Sequence, residues 1–212
     1  MATGCRWPRA NWITATRTDV DAGGPLIPAA LALDPDAFVR IAARPDGLRF
    51  ALLLLAAAGL SQSLGQSVAL FANRVPPARF AASLALGALA FAAAAALYAV
   101  ALAATAVLLF DRPVPAVDLV RLVGLAYAPR LFGFLVLTPY FGNAISVILT
   151  GWSVLALALG ARVALGLGLV ETSVALLIAW ALAEVLERLL GRLVALVRSV
   201  RSRLRRAWGV GA

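Results

Sequence analysis

Hydrophobic residues in this chain form long runs that contain no charged residue. The three longest runs have 24, 31 and 31 residues: Phe50–Asn73, Phe80–Phe110 and Leu131–Ala161. An α-helix needs about 20 apolar residues to cross the hydrocarbon core of a bilayer, so each run is long enough to span a membrane. The sequence therefore predicts an all-α fold, a polytopic integral membrane helical bundle.

Short polar or proline-containing segments divide the apolar sequence into five predicted transmembrane helices. Their expected ranges are about 50–71, 80–110, 122–139, 144–167 and 171–190. The third is interrupted by Pro129 and Arg130, and the proline is expected to kink the helix because it removes a backbone hydrogen bond. Alternatively this segment does not cross, which leaves four spans plus a re-entrant hairpin that turns near Pro139 and Gly142.

The polar N-terminal region, residues 1–33, is rich in proline and glycine and lacks the apolar core of a signal peptide. It is predicted to be a disordered tail. The membrane domain is expected to cover residues 34–190 and to open with a short amphipathic helix in the headgroup layer. Asp34 can cap this helix, Pro35 suits its first position, and Pro45 ends it.

The C-terminal region, residues 191–212, reads as a basic amphipathic tail. Apolar side chains recur there at helical spacing, at Leu193, Val197, Val200 and Leu204, and six arginines lie before, between and after them. Such a helix is expected at an anionic membrane surface. We therefore predict the lipid bilayer, through its anionic headgroups, as one partner of the chain.

Polar residues inside the predicted spans are the candidate functional residues. Gln62 and Gln66 form a stripe in span one, where small residues recur every four positions at Gly59, Ser63 and Ser67, a spacing that lets helices approach closely. This stripe predicts either a polar pathway or hydrogen bonds between helices.

Two arginines are predicted at membrane depth, Arg130 in span three and Arg162 in span four. Intramembrane ionisable residues are functional-site candidates, but these two can also snorkel or form buried pairs. Glu184 and Arg188 have the i,i+4 spacing of a helical ion pair.

Composition excludes several kinds of chemistry. Of the residues, 63% are hydrophobic and the mean hydropathy is +0.93, whereas soluble domains are about 45–50% apolar. The chain has no histidine and a single cysteine, Cys5, so a histidine base, a Cys/His metal cluster and an intrachain disulfide are ruled out. Phosphate-binding glycine motifs are absent as well. We expect no catalytic residues, no metal and no cofactor.

The basic charge of the chain points to the membrane rather than to nucleic acid. The net charge is +9 and all 19 basic residues are arginine. These arginines cluster at the ends of apolar segments, where they meet headgroups and fix topology. No interleaving of basic and aromatic residues, as used for nucleic-acid binding, is present. We therefore expect no nucleic-acid partner.

Three features of the middle of the chain resemble the Yip (Ypt-interacting protein) domain family. They are Gly124-Leu125-Ala126-Tyr127-Ala128-Pro129 in span three, the turn Pro139-Tyr140-Phe141-Gly142, and Trp152 in the next helix. The stretch 34–66, with its Arg-Pro and Leu-Gly-Gln elements, is similar to bacterial members. The resemblance covers roughly residues 34–190, and it gives Tyr127, Pro129, Pro139, Gly142 and Trp152 as candidate site residues.

The resemblance implies five membrane helices with a cytoplasmic N-terminus. A compact bundle rich in small residues, a basic tail and the lack of a catalytic set lead us to expect a non-enzymatic protein of this type with a membrane-organising or assembly role. Composition points to a bacterial cytoplasmic membrane, with a homo-oligomer or another membrane protein as possible partner. The alternative is a small transporter or permeation subunit that uses the span-one stripe and Arg130 as an anion site. One conflict stands: five spans separate the termini, whereas basic clusters at both ends favour the same side for both.

Overall fold

A computed structural model describes residues 26–65, 76–138 and 140–207 of the chain. Those residues form helices and contain no strand, so the all-α prediction is confirmed. The helices, in chain order, are α1 Leu26–Leu31, α2 Pro35–Ala43, α3 Gly47–Gly65, α4 Pro77–Phe110, α5 Ala116–Ala126, a 3₁₀ helix Ala128–Leu137, α6 Gly142–Leu165 and α7 Leu169–Ala207.

Four of these helices are long and apolar enough to cross a membrane. They are α3, α4, α6 and the first part of α7, Leu169–Leu189. A fifth candidate is the broken span, by which we mean α5 together with the 3₁₀ helix, two segments that meet at an angle of 41°. The chain is thus a multi-span membrane protein of the predicted helical type.

The broken span runs alongside α3 over most of its length. Gly124 lies against Ala51 near the start of α3, and Gly133 lies against Gly65 at its end. From there Gly142, the first residue of α6, packs on Val136, and α6 runs back in the opposite direction. A segment that follows a spanning helix from one end to the other has the placement of a span, which favours five crossings over a re-entrant hairpin.

The two short N-terminal helices pack on the bundle. The Asp34 side chain accepts a hydrogen bond from the Asp36 N–H at 3.0 Å, so the predicted cap of α2 is confirmed. Phe38 on α2 is buried and lies against Gly160 of α6. The predicted disordered tail 1–33 is wrong for residues 26–31, which form α1. Leu26 and Ala30 share one face of α1 and are buried, and burial of this apolar pair stabilises the helix. The prolines of this region favour the prediction of a disordered tail over that of a helix.

Charged groups collect where α2, α3 and α5 begin or end. Arg121 forms an ion pair with Asp118 at 3.0 Å and donates to the Ala42 carbonyl at 2.8 Å. Arg44 pairs with Asp46 at 3.0 Å, and its guanidinium holds the pKa of Asp46 below the ordinary value. We call this the Asp118 end of the bundle; the Gly65 end lies opposite.

The last helix, α7, has 39 residues and continues unbroken past its apolar part. The predicted basic helix after residue 190 is therefore continuous with the fifth span as far as Ala207. The α7 helix packs mainly on α4, and the two are antiparallel, because Tyr98 lies at the level of Leu176 while Phe91 lies at the level of Glu184. The chain therefore enters the bundle at the Asp118 end and leaves it at the Gly65 end.

Candidate functional site

The break in the fifth candidate span lies at Tyr127, Ala128 and Pro129. Helix α5 ends at Ala126, and Pro129, which has no backbone N–H, occupies the first turn of the 3₁₀ helix. The Arg130 N–H bonds to the Tyr127 carbonyl at 3.0 Å, an i to i−3 contact that tightens the chain. The predicted kink is confirmed, but it extends as a 3₁₀ helix of ten residues.

Ser61 of α3 bonds to the backbone of this 3₁₀ helix. Its hydroxyl donates to the Leu131 carbonyl at 2.7 Å and accepts from the Phe134 N–H at 2.9 Å. Ser61 is buried, and in lipid an unsatisfied backbone group costs several kcal/mol. One serine thus satisfies a donor and an acceptor of the broken span.

Small residues allow the close approach that Ser61 needs. A Cβ on Gly65 would collide with the Gly133 carbonyl, and a Cβ on Gly133 would lie 3.1 Å from the Gln62 Cα. Gln62 is half-buried at this contact, so the predicted polar stripe begins at the joint between α3 and the broken span. The second glutamine of that stripe, Gln66, lies outside the described residues.

Arg130 presents its charge to aromatic rings. Its guanidinium carbon lies 5.5 Å from the ring centre of Tyr127 and 5.9 Å from that of Phe91, and these two rings are 5.5 Å apart. Its Nη2 donates to the Thr150 hydroxyl at 3.4 Å. Its Nε is buried without a hydrogen-bond partner, and no carboxylate in the described part of the chain is within ion-pair distance. The cation is therefore held by π faces and one long hydrogen bond.

A cavity of about 260 Å³ lies beside the same rings, between α4 and α7. Four aromatic side chains line it, Phe91, Tyr98, Tyr127 and Trp180, together with three alanines and the carboxylates Glu184 and Glu187. We call it the α4–α7 cavity.

The two carboxylates of the α4–α7 cavity differ in their partners. Glu184 pairs with Arg188 at 2.9 Å, which confirms the predicted i,i+4 ion pair. Glu187 has no ion-pair partner among the side chains that the structure describes. A carboxylate without a cation therefore faces an aromatic-lined space.

The remaining predicted site residues lie elsewhere. The Trp152 indole donates to the Leu31 carbonyl at 3.1 Å, which ties α6 to α1. Gly142 packs on the Val136 backbone at the start of α6. Arg162 is exposed in the last turn of α6, near the Asp118 end. Pro139 is outside the described residues.

Arg130 and Tyr127 are thus brought together, whereas Arg162 and Trp152 are separate from them and from each other.

Sequence reasoning missed Tyr98 and Glu187 as site residues. Tyr98 lies in an alanine-rich span with few polar residues, and its hydroxyl donates to the Leu176 carbonyl at 3.3 Å. Glu187 lies one residue before Arg188, which forms the predicted ion pair with Glu184. No local pattern identifies them, because Tyr98 and Glu187 lie on α4 and α7, two helices that the broken span and α6 separate in the chain.

The arrangement offers binding chemistry. Within the described residues no group of three or more His, Cys, Asp or Glu side chains could hold a metal ion. Cation–π contacts and a carboxylate in a partly apolar cavity recognise charge and shape. No family model matches the sequence, and no curated protein or solved structure matches it either.

Proposed function

We propose that this chain is a non-enzymatic integral membrane protein of the Yip type that organises the membrane or scaffolds an assembly. The observation that carries the proposal is the continuity of α7. Its membrane-spanning part, Leu169–Leu189, continues as one helix through residues 190–207. A span that continues into a long basic helix couples the bundle to the membrane surface or to a partner.

The extension is long and strongly basic. Eighteen residues follow Leu189 in the helix, which corresponds to about 27 Å at about 1.5 Å per residue. Six arginines lie on it: Arg192, Arg198, Arg201, Arg203, Arg205 and Arg206. Each arginine near an anionic leaflet contributes about 1 kcal/mol of attraction. The extension therefore has ample charge to hold itself against anionic headgroups.

The resemblance in the middle of the chain supports the choice of family. The Yip arrangement of five membrane segments accommodates four long helices plus the broken span. The residues that carry the resemblance at Tyr127 and Pro129 lie at the break itself. On this proposal the break is a structural feature of the domain, and the bacterial cytoplasmic membrane is its location.

Purification in mild detergent tests the scaffold role. We expect the full-length protein to elute as a homo-oligomer or with a stoichiometric membrane-protein partner, with the mass measured by light scattering. A lone monomer that is indifferent to added anionic lipid would contradict the proposal.

A spin label on the extension tests its contact with lipid. With the label at Ser199 in a Cys5→Ser chain, we expect low water accessibility in vesicles that contain phosphatidylglycerol and higher accessibility in phosphatidylcholine alone. A variant with the six arginines changed to glutamine is the matched control and should lose this difference. Equal accessibility of the unmodified extension in both vesicles would exclude surface attachment.

A second candidate function is anion permeation, and Arg130 favours it. Its guanidinium lies over the rings of Tyr127 and Phe91, its Nε is buried, and it has no carboxylate partner in the described residues. Liposome flux of a small anion should then fall in Arg130→Ala and persist in Arg162→Ala, whose side chain is exposed at the end of α6. Absence of anion flux in liposomes that contain the unmodified protein would exclude anion permeation.

A further inference from the structure

The depth of the α4–α7 cavity follows from the helix that lines it. Helix α7 begins at Leu169 near the Asp118 end, and Glu184 and Glu187 lie 15 and 18 residues further on. These positions are about 22 and 27 Å along the helix, while the hydrocarbon core is about 30 Å thick. Both carboxylates therefore lie close to the membrane–water boundary at the Gly65 end.

The cavity opens towards the outside of the bundle. Trp180, which forms part of its wall, is 61% exposed, and Glu187 is exposed as well. The Glu187 end of the cavity is about 27 Å along α7 and so lies near the headgroup layer, whereas Trp180, about 16 Å along, lines its deeper part. A lipid headgroup can therefore reach this cavity sideways from the bilayer.

The lining favours an ammonium group. Quaternary and primary ammonium ions bind on aromatic faces, and a nearby carboxylate adds direct charge attraction. Trp180 and Tyr98 provide ring surface, while Glu187 provides a carboxylate without a cation in the described chain.

The charges around the cavity also indicate which kind of ammonium compound fits. Glu184 and Glu187 are balanced overall by Arg188, which pairs with Glu184 at 2.9 Å, and by Arg130, whose guanidinium lies over two of the lining rings. These four side chains have a net charge of zero, but the positive and negative groups lie at different places around the cavity. That distribution suits a zwitterion better than a free cation.

We infer that the α4–α7 cavity binds the ammonium headgroup of a zwitterionic phospholipid, with Glu187 as its counter-charge and Trp180 as an aromatic wall. This site is distinct from the basic extension of α7 and selects the opposite headgroup chemistry. It gives the protein two different lipid contacts on one helix.

Native mass spectrometry of the full-length protein in detergent tests the site. The probes are short-chain phosphatidylethanolamine, phosphatidylcholine and phosphatidylglycerol with identical acyl chains. We expect one molecule of an ammonium-headed lipid per chain at low concentration. Glu187→Gln should weaken that binding about tenfold, because it removes the charge of one charge-assisted contact. Glu171→Gln, the same substitution on the same helix but away from the cavity, should leave it unchanged.

A second variant keeps the test decisive should Glu187→Gln not yield folded protein. Trp180→Leu retains an apolar side chain on an exposed position but removes the ring, and it should weaken binding roughly fivefold. Phosphatidylglycerol binding should be insensitive to both variants, since that lipid has no ammonium group.

Three results would overturn the inference. The first is equal affinity for phosphatidylethanolamine or phosphatidylcholine in the unmodified protein and in both variants. The second is phosphatidylglycerol binding that falls in parallel with that of the other lipids in Glu187→Gln. The third is free tetramethylammonium or ethanolamine that binds the site as tightly as the lipids, which would assign it to a soluble amine.

Discussion

Two helix contacts in this bundle are built in opposite ways. Where α3 meets the broken span, Gly65 and Gly133 bring the backbones together and Ser61 makes two hydrogen bonds across the joint. Where α4 meets α7, a tyrosine-to-carbonyl bond from Tyr98 at 3.3 Å joins the helices, and a cavity of about 260 Å³ remains between them.

The difference suggests a division of roles: one helix contact stabilises the bundle, and the other contains the proposed binding cavity. In lipid, helices associate through close packing and interhelical hydrogen bonds, and the first contact provides both. The second contact leaves space beside two carboxylates, and aromatic side chains line that space. The first contact is the structural frame of the bundle, and the second is where a ligand can enter.

Cysteine labelling in sealed vesicles gives the largest expected effect, because the result is all or none. The tight contact makes the broken span follow α3 from end to end, so the two ends of the chain should face opposite sides. In a Cys5→Ser chain, Asp36→Cys and Arg192→Cys, both at exposed positions, should react with an impermeant thiol reagent from different sides. Reaction of both from the same side contradicts five crossings.

Overpacking the tight contact should be strongly destabilising. Gly133→Leu places a side chain against Gln62, where a Cβ already meets backbone at 3.1 Å, and should lower the free energy of unfolding by about 3 kcal/mol. Gly151→Leu is the control, since nothing lies within 4 Å of a Cβ there. Thermal unfolding followed by size-exclusion chromatography measures both. Equal unfolding midpoints for the two variants would show that the contact at Gly133 does not stabilise the bundle.

Ser61→Ala tests the hydrogen bonds of the same contact. The change leaves the Phe134 N–H and the Leu131 carbonyl without their partner and should cost about 2 kcal/mol. Ser83→Ala is matched to it, because the Ser83 hydroxyl bonds only within its own helix, to the Phe80 carbonyl at 2.7 Å. Denaturant unfolding in detergent compares the two variants, and a Ser83 effect as large as that of Ser61 would refute the assignment.

Tyr98→Phe should have the smallest effect. It removes the hydrogen bond from α4 to the Leu176 carbonyl, and such bonds are worth about 0.6 kcal/mol on average between membrane helices. Tyr140→Phe, at a fully exposed position, serves as the control in the same unfolding measurement. A loss of unfolding free energy comparable to that of Ser61→Ala would mean that the hydrogen bond between α4 and α7 stabilises the protein as much as those between α3 and the broken span.

The spans were predictable because apolar length is a local property. Helices α4 and α6 begin two or three residues before their predicted starts at 80 and 144 and end within two residues of the predicted ends. The Asp34 cap and the Glu184–Arg188 pair also depend on neighbouring residues, and both are confirmed.

Other features could not be predicted because their partners are distant in sequence. Ser61 bonds to backbone groups 70 and 73 residues away, and no pattern around it identifies them. The α4–α7 cavity likewise arises from residues on three segments. Pro129 predicts a kink, but the ten-residue 3₁₀ helix that contains it bonds to Ser61 of α3, a distant partner.

The distribution of arginines favours the same side for both termini, whereas five spans place them on opposite sides, and this conflict has a physical reason. Arginines such as Arg44 and Arg121 at the Asp118 end are bound to carboxylates or backbone carbonyls within the fold. The arginines of the α7 extension follow one another on a helix that leaves the bundle at the opposite end. A count of basic residues alone does not separate charges that are paired within the fold from charges on a helix that leaves the bundle.

The order of the segments along the chain bears on biogenesis. All of the helices around the broken span are synthesised before α7, so the tight contact can form before the last span has inserted. Because α7 packs mainly on α4, a nascent chain that ends at Gly168 already has its frame and lacks only the cavity. The last helix to insert is therefore the one that completes the binding surface.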